Sequence, residues 1–135
     1  MRERRSPPSN GNWRIGTTTI ASSCNYSGHE KARRYLVGGA ISAVNYSEVL
    51  KKAVERGSDL QLARFHLENF ALSVIPFDDR SAVRTAELWS AGRQFGLSFA
   101  DRACLALGIE SKAKVVTGDR RWKDAALGIS VIVFR

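Results

Sequence analysis

The sequence predicts an α/β domain in which a mainly parallel sheet lies between two layers of helices, a three-layer α/β/α sandwich. Short, largely apolar segments have the composition of strands buried on both faces: AISAV (40–44), LSVIPF (72–77), KVVTGD (114–119) and ISVIVF (129–134). Segments in which apolar residues recur at helical spacing separate them. This alternation of strand and helix is typical of a parallel sheet covered on both faces.

The first 27 residues differ in composition from the rest of the chain. They are rich in Ser, Thr, Asn, Gly and Pro and contain few aliphatic side chains, which is typical of a loop or a disordered leader. The segment TTTIA (17–21) is β-branched enough for a short strand, but only weakly so. We therefore expect an atypical leader over 1–27, a domain over 28–135, and a first strand that is weak or missing.

Helices are predicted over five segments of the domain: 30–36, 45–56, 58–70, 79–96 and the residues from Ser98 onward. In the second of these, Val49, Leu50 and Ala53 recur at helical spacing and form an apolar face. Ser58 is expected to cap the third helix, and Asp78 or Asp79 the fourth. The helix that follows Ser98 is almost entirely apolar, which predicts burial against the sheet.

The composition limits the class of protein. The net charge is +8, with four basic residues against one acidic residue in 1–28, and 17 against 12 in 29–135. A basic domain of this kind favours a polyanionic partner such as RNA, or an acidic protein. No apolar run approaches the ~20 residues of a membrane span. Cys24 and Cys104 have neither metal-ligand nor disulfide spacing, so a reducing cytoplasm is the expected location.

Three acidic residues have two competing explanations. Ser98 and Asp101 have the spacing of a capping box, and Asn45 and Glu48 repeat it with asparagine as the cap. Asp119 follows a strand and has the position of a cap for the segment RRWKD (120–124). Taken singly, each acid therefore has a structural role in starting a helix.

Taken together, the same acids predict a metal site. Ligands of parallel α/β sheets bind beyond the carboxyl ends of the strands, where Glu48, Asp101 and Asp119 are all expected. Three carboxylates at one edge repel one another unless a cation offsets their charge, and Mg²⁺ prefers such oxygen ligands. A site of this kind activates water for attack on an RNA phosphodiester. Arg120 and Arg121 are the expected phosphate contacts, and Trp122 either packs in the core or stacks on a base.

Three blocks carry a family resemblance: ISAVNYSEVL (41–50), LSFADRACLAL (97–107) and VVTGDRRW (115–122). In this order and spacing they resemble a PIN domain of the VapC toxin type. The resemblance implies a PIN-like fold and an endoribonuclease that depends on Mg²⁺, or on Mn²⁺, and cuts structured RNA, often tRNA. It also implies inhibition by a VapB-like antitoxin and formation of a homodimer. Glu48, Asp101 and Asp119 would be catalytic, metal-binding acids, with Thr117 near the site.

The chain departs from the family at its first strand. The resemblance implies an aspartate at the end of that strand, near Ile15, yet no aspartate precedes Asp59. We hypothesise that residues 1–27 derive from a shifted reading frame or a misassigned start. The alternative function is then a catalytically inactive PIN-like module that binds antitoxin or RNA. A generic DNA-binding domain has only the charge in its favour, since no helix-turn-helix pattern is present.

Overall fold

The computed structural model describes residues 14–16, 33–123 and 128–133. Five strands form one sheet in the order β3-β2-β1-β4-β5, and each neighbouring pair is parallel. The strands are β1 (Arg14–Gly16), β2 (Ala40–Ser42), β3 (Ser73–Ile75), β4 (Lys114–Thr117) and β5 (Val131–Val133). The predicted α/β class with a mainly parallel sheet is confirmed.

The first strand was expected to be weak or missing. It is present but short, with three residues, and β1 occupies the centre of the sheet. Ile15 pairs with Ala40 of β2 on one side and with Val115 of β4 on the other, and it is fully buried. Three residues suffice because backbone pairing on both sides needs little side-chain support. The weak strand predicted at 17–21 lies outside the described residues, and the division at residue 28 stays a prediction.

The helices lie between the strands as the sequence predicts. They are α1 (Ala43–Glu55), α2 (Leu60–Glu68), α3 (Asp79–Glu87), α4 (Trp89–Gly92) and α5 (Phe99–Ser111), with a further helical turn over 33–36. Short 3-10 turns cover Arg93–Phe95 and Arg120–Lys123.

Several predicted helix ends are confirmed and others are wrong. Asp78 caps α3 as predicted, because its carboxylate accepts from the backbone N–H of Ser81 at 2.9 Å. Asp59, rather than Ser58, caps α2 by accepting from the N–H groups of the next turn. Both bonds end on Oδ1 of Asp59, so this carboxylate rather than the Ser58 hydroxyl satisfies the first N–H groups of the helix.

The helix predicted over 79–96 is divided into α3, α4 and a 3-10 turn. The carbonyl of Thr85, in the last turn of α3, accepts a hydrogen bond from the guanidinium of Arg102 at 3.0 Å. The same guanidinium lies over the rings of Trp89 and Phe99. These contacts anchor the end of α3 to α5, and Trp89 is exposed rather than buried in the core.

Two apolar clusters lie on the two faces of the sheet. One contains Ile41 and Val116 and is covered by α1 and α2, whereas the other contains Ala40 and Val115 and is covered by α5. Successive residues of a strand point to opposite faces, so these strands are buried on both sides. The two clusters and their helices give the three predicted layers. In the part of the chain that the structure describes, no helix is long and apolar enough to cross a membrane.

Candidate active site

Asp101 lies in the first turn of α5, where a capping box fixes its side chain. The backbone N–H of Ser98 donates to Oδ2 of Asp101 at 2.9 Å, and the N–H of Asp101 donates to the Ser98 hydroxyl at 3.2 Å. The predicted structural role of Asp101 is therefore confirmed. The cap uses one lone pair of Oδ2, so the carboxylate keeps lone pairs on both oxygens for a further partner.

Cys104, one turn further along α5, connects this helix to the end of β1. The thiol is fully buried and contacts the carbonyl oxygen of Gly16 at 3.6 Å. Burial raises the pKa of the Cys104 thiol, and the nearby Asp101 carboxylate raises it further. The thiol is thus neutral and holds α5 against the central strand, in keeping with its predicted place in the core.

Asn45 is a buried position whose role the sequence analysis assigned wrongly. It does not cap α1, because Ser42 performs this role by accepting from the N–H of Val44 at 3.2 Å. Asn45 is instead fully buried within α1 and donates from Nδ2 to the carbonyl of Ala100 at 3.0 Å. The signal in the sequence is a polar side chain on the buried face of a helix, because such a side chain needs a hydrogen-bond partner.

This bond has a consequence for the predicted acids. It joins α1 to the first turn of α5, directly before Asp101. Glu48 lies three residues after Asn45, on the same side of α1, and is half-buried. Glu48 and Asp101 therefore belong to two helices that meet near the carboxyl edge of the sheet.

Asp119 follows β4 and is held by its own neighbours. Its backbone N–H donates to the hydroxyl of Thr117 at 3.1 Å, and the Thr117 side chain is fully buried. Its carboxylate accepts from the backbone N–H of Arg121 at 3.0 Å, which starts the 3-10 turn as predicted. Thr117 is therefore next to Asp119 and fixes the turn that carries it.

The side chain of Arg121 also bonds the Asp119 carboxylate. Nε lies 3.1 Å from each carboxylate oxygen, and the terminal amino group Nη2 lies 2.6 Å from Oδ2. These hydrogen bonds hold the pKa of the Asp119 carboxyl below its ordinary value of 3.8, against the opposing effect of burial. The same contact raises the pKa of Arg121, and the charge of Asp101 adds to the rise.

Two other residues of this turn, Arg120 and Trp122, differ from Arg121. Trp122 is 3% exposed and belongs to the cluster under α5, so it packs in the core and does not present its ring to a base. Arg120 is exposed. Contact of Arg120 and Arg121 with RNA phosphate stays a prediction.

The predicted site residues share one edge of the sheet but do not form a metal centre. Within the described ranges, no three His, Cys, Asp or Glu side chains lie close enough together to hold one ion. Both oxygens of Asp119 bond Arg121, and Oδ2 of Asp101 bonds the cap of its own helix. β1 ends in Gly16, which has no side chain to contribute. The residues as arranged therefore do not fit a divalent cation.

Comparison with known proteins identifies what this fold resembles. The family model described as the PIN domain matches residues 24–127. No curated protein matches the chain in sequence. A chain of a toxin–antitoxin complex from Klebsiella pneumoniae is similar in structure, with a TM-score of 0.68, 22% identity, and coverage of 90% of this chain and 98% of that one.

Two VapBC complexes are similar to the same extent. A chain of DNA-bound VapBC from Salmonella typhimurium has a TM-score of 0.69 at 19% identity, covering 92% of this chain and 99% of that one. A chain of VapBC2 from Rickettsia felis, bound to a DNA fragment from its promoter, has a TM-score of 0.65 at 19% identity, covering 89% and 97%. At these identities the likeness is one of fold.

Proposed function

The chain belongs to the PIN-domain family, and we propose that it is the ribonuclease toxin of a toxin–antitoxin pair, with an activity that its own residues weaken. The observation that carries this proposal is the match of the family model to 24–127. The similarity of its fold to chains of toxin–antitoxin complexes supports the proposal that it is the toxin of such a pair. The proposed reaction is hydrolysis of an RNA phosphodiester in the cytoplasm, with structured RNA such as tRNA as the substrate class.

The proposed roles follow the position of each side chain. Asp101, Glu48 and Asp119 are the catalytic acids, and all three lie on elements that meet at the carboxyl edge of the sheet. Arg120, exposed beside Asp119, contacts the phosphate backbone. The cofactor expected from the resemblance is Mg²⁺, with Mn²⁺ as the alternative. We expect a weakened activity, because β1 ends in Gly16 and the Asp119 carboxylate bonds Arg121.

A second candidate function rests on Gly16. In the family that this chain resembles, an aspartate ends the first strand, and here the strand that fills this place ends in glycine. A missing carboxylate weakens metal binding but leaves the fold intact, since β1 pairs on both sides without it. The candidate is a catalytically inactive module that still binds antitoxin or RNA.

An RNA cleavage assay separates the two candidates. We expect the wild-type chain to cut tRNA slowly with Mg²⁺ or Mn²⁺, and expect EDTA and Asp101→Asn each to abolish cleavage. Gly16→Asp should increase the rate, because it returns a carboxylate to the end of β1. Cleavage by Gly16→Asp alone would select the inactive module as the natural state. Equal cleavage in EDTA would contradict both.

The proposed antitoxin partner has a surface to bind. Four apolar side chains are exposed at the end of α1 and along α2: Val54, Leu60, Leu62 and Phe65. Phe65 is 59% exposed. These side chains lie on two helices that contact each other, and apolar residues grouped in this way are candidates for protein–protein contact. A bound antitoxin segment would cover them.

A pull-down tests this partner. The product of a small open reading frame next to this gene should be captured by the chain, and Phe65→Asp should weaken capture by about tenfold, since it removes an exposed aromatic side chain that the partner would bury. Val83→Asp is the matched control, because Val83 is equally exposed, at 61%, but lies on α3. Equal loss in both variants would exclude the α2 surface. Homodimer formation stays a prediction, to be measured by light scattering on the same samples.

A further inference from the structure

The contact between Arg121 and Asp119 is unusually complete for side chains two residues apart. Nε and Nη2 bond the carboxylate as a fork, and the backbone N–H of Arg121 adds a third donor on Oδ1. A planar guanidinium matches a carboxylate in this paired geometry, which gives the contact a fixed orientation as well as charge. Asp119 thus has a resident cation supplied by the chain itself.

The fork is held from both ends. The hydroxyl of Thr117, itself fully buried, accepts from the N–H of Asp119 and fixes the carboxylate end. At the other end, Trp122 follows Arg121 directly and is buried under α5. A Cβ placed on Gly96, which precedes α5, would lie 3.7 Å from Nη1 of Arg121. The guanidinium therefore lies between β4 and the start of α5.

A divalent ion that binds Asp119 would occupy the space beside the carboxylate in which the Arg121 guanidinium lies. The positive charge of the guanidinium therefore opposes binding of such an ion. The guanidinium bonds both carboxylate oxygens of Asp119, and it lies beside Gly96, two residues before the capping box that holds Asp101. An ion approaching Asp119 meets a positive charge that bonds both oxygens, carried by a side chain that is 66% exposed. It must also lose part of its hydration shell, which Mg²⁺ gives up reluctantly.

We propose that Arg121 is the internal counter-ion of Asp119 and competes with divalent cations for its carboxylate. A metal ion binds this edge of the sheet only after the guanidinium leaves. In this role Arg121 acts through Asp119, and its contact with RNA phosphate stays a separate prediction. The proposal goes beyond the proposed function, because it concerns which cation neutralises Asp119 and holds whether or not the chain cuts RNA.

Mn²⁺ binding, followed by the electron paramagnetic resonance signal of the free ion, tests the proposal without RNA. We expect Arg121→Gln to bind Mn²⁺ about tenfold more tightly than wild type, because a competing unit charge is removed from the carboxylate. Arg120→Gln is the matched control: it removes the same charge one residue away and leaves the Asp119 fork intact, so it should change affinity little. Arg121→Lys, which keeps the charge but loses the fork, should lie between them.

The same series in a Gly16→Asp background keeps the test decisive if the wild-type chain binds Mn²⁺ too weakly to measure. Equal affinities of the Arg121→Gln and Arg120→Gln variants in both backgrounds, including no binding by either, would overturn the proposal. The RNA assay above is a separate readout. Failure of the proposal would appear in the Mn²⁺ affinities, whereas failure of the proposed function would appear in the RNA cleavage assay, so the two are distinguishable.

Discussion

β1 and β4 lie side by side at the centre of the sheet, yet they differ in what they contribute. β4 has four residues, and its buried side chains Val115 and Val116 face the two apolar clusters. It leads directly into the Thr117–Asp119 turn that carries a carboxylate. β1 has three residues, one fully buried aliphatic side chain and no acid at its end.

The comparison shows that building the fold and building the site place different demands on a strand. Parallel pairing is made by backbone groups, so Arg14–Gly16 fills the centre with Ile15 as its main apolar contact. Chemistry at the edge needs a particular side chain at a particular residue. β4 meets both demands, whereas β1 meets the first only.

The largest expected effect tests whether β1 holds the centre of the sheet. Ile15→Ala should lower the free energy of unfolding by about 2–4 kcal/mol, because it leaves a cavity where the side chain is fully buried. Urea unfolding followed by circular dichroism measures it. Val115→Ala, in the partner position on β4, is the reference. An unchanged free energy of unfolding in Ile15→Ala, beside a large loss in Val115→Ala, would mean that β1 is not the central strand of the sheet.

A second variant tests how closely α5 packs against β4. A Cβ on Gly108 of α5 would lie 2.6 Å from Cγ2 of Val115, closer than side chains tolerate. Gly108→Ala should therefore destabilise the fold by about 1–3 kcal/mol although alanine favours helix. Adding Val115→Ala removes the clashing methyl group, so the double variant should lose less than the two single losses combined. Strict additivity in urea unfolding would contradict this close contact.

A smaller effect concerns the start of α5, which carries Asp101. Ser98→Ala should cost about 1 kcal/mol, since it removes the acceptor for the N–H of Asp101. Ser58→Ala is the control: it resembles a cap in the sequence, but Asp59 performs that role, so the change should stay within about 0.5 kcal/mol. Thermal unfolding of both variants checks the difference. A larger loss in Ser58→Ala would reverse the assignment of the caps.

The smallest effect concerns Asp119 at the end of β4. Its carboxyl should titrate below 3.8 in wild type and move back towards 3.8 in Arg121→Gln, as followed by carbon NMR of the carboxylate. Because the folded pKa is lowered, the stabilising contact is complete above the ordinary pKa and is lost as the pH falls through the lowered one. Its effect on stability is small, since the Arg121 side chain is 66% exposed. An unshifted pKa in wild type would exclude the fork in solution.

Much of the fold was predictable because its signals are local. The capping box of Ser98 and Asp101 and the cap at Asp78 depend on spacing alone, and both are present. The apolar strands could be recognised from composition. β1 was underestimated because its place at the centre depends on pairing with β2 and β4, which are distant in the chain.

The sequence predicted which edge of the sheet the acidic residues reach, but not which hydrogen bonds their side chains make. Asp119 and Asp101 were expected at the carboxyl ends of the strands, and they lie on the elements that reach this edge. That Arg121 would fold back onto Asp119, and that Asn45 would bond Ala100 rather than cap α1, depends on tertiary geometry. Spacing fixes which residues approach an edge, while rotamers and neighbouring elements decide what they bond.

The central position of β1 also bears on biosynthesis and turnover. β1 leaves the ribosome first, but its second neighbour, β4, begins only at Lys114. Until that segment is made, the growing chain presents one unpaired side of β1, a state that favours aggregation and degradation. Pairing over so long a stretch of chain is also slow. A nascent chain released before Lys114 would therefore be removed rather than accumulate, and the amount of folded protein in the cell would depend on completing translation.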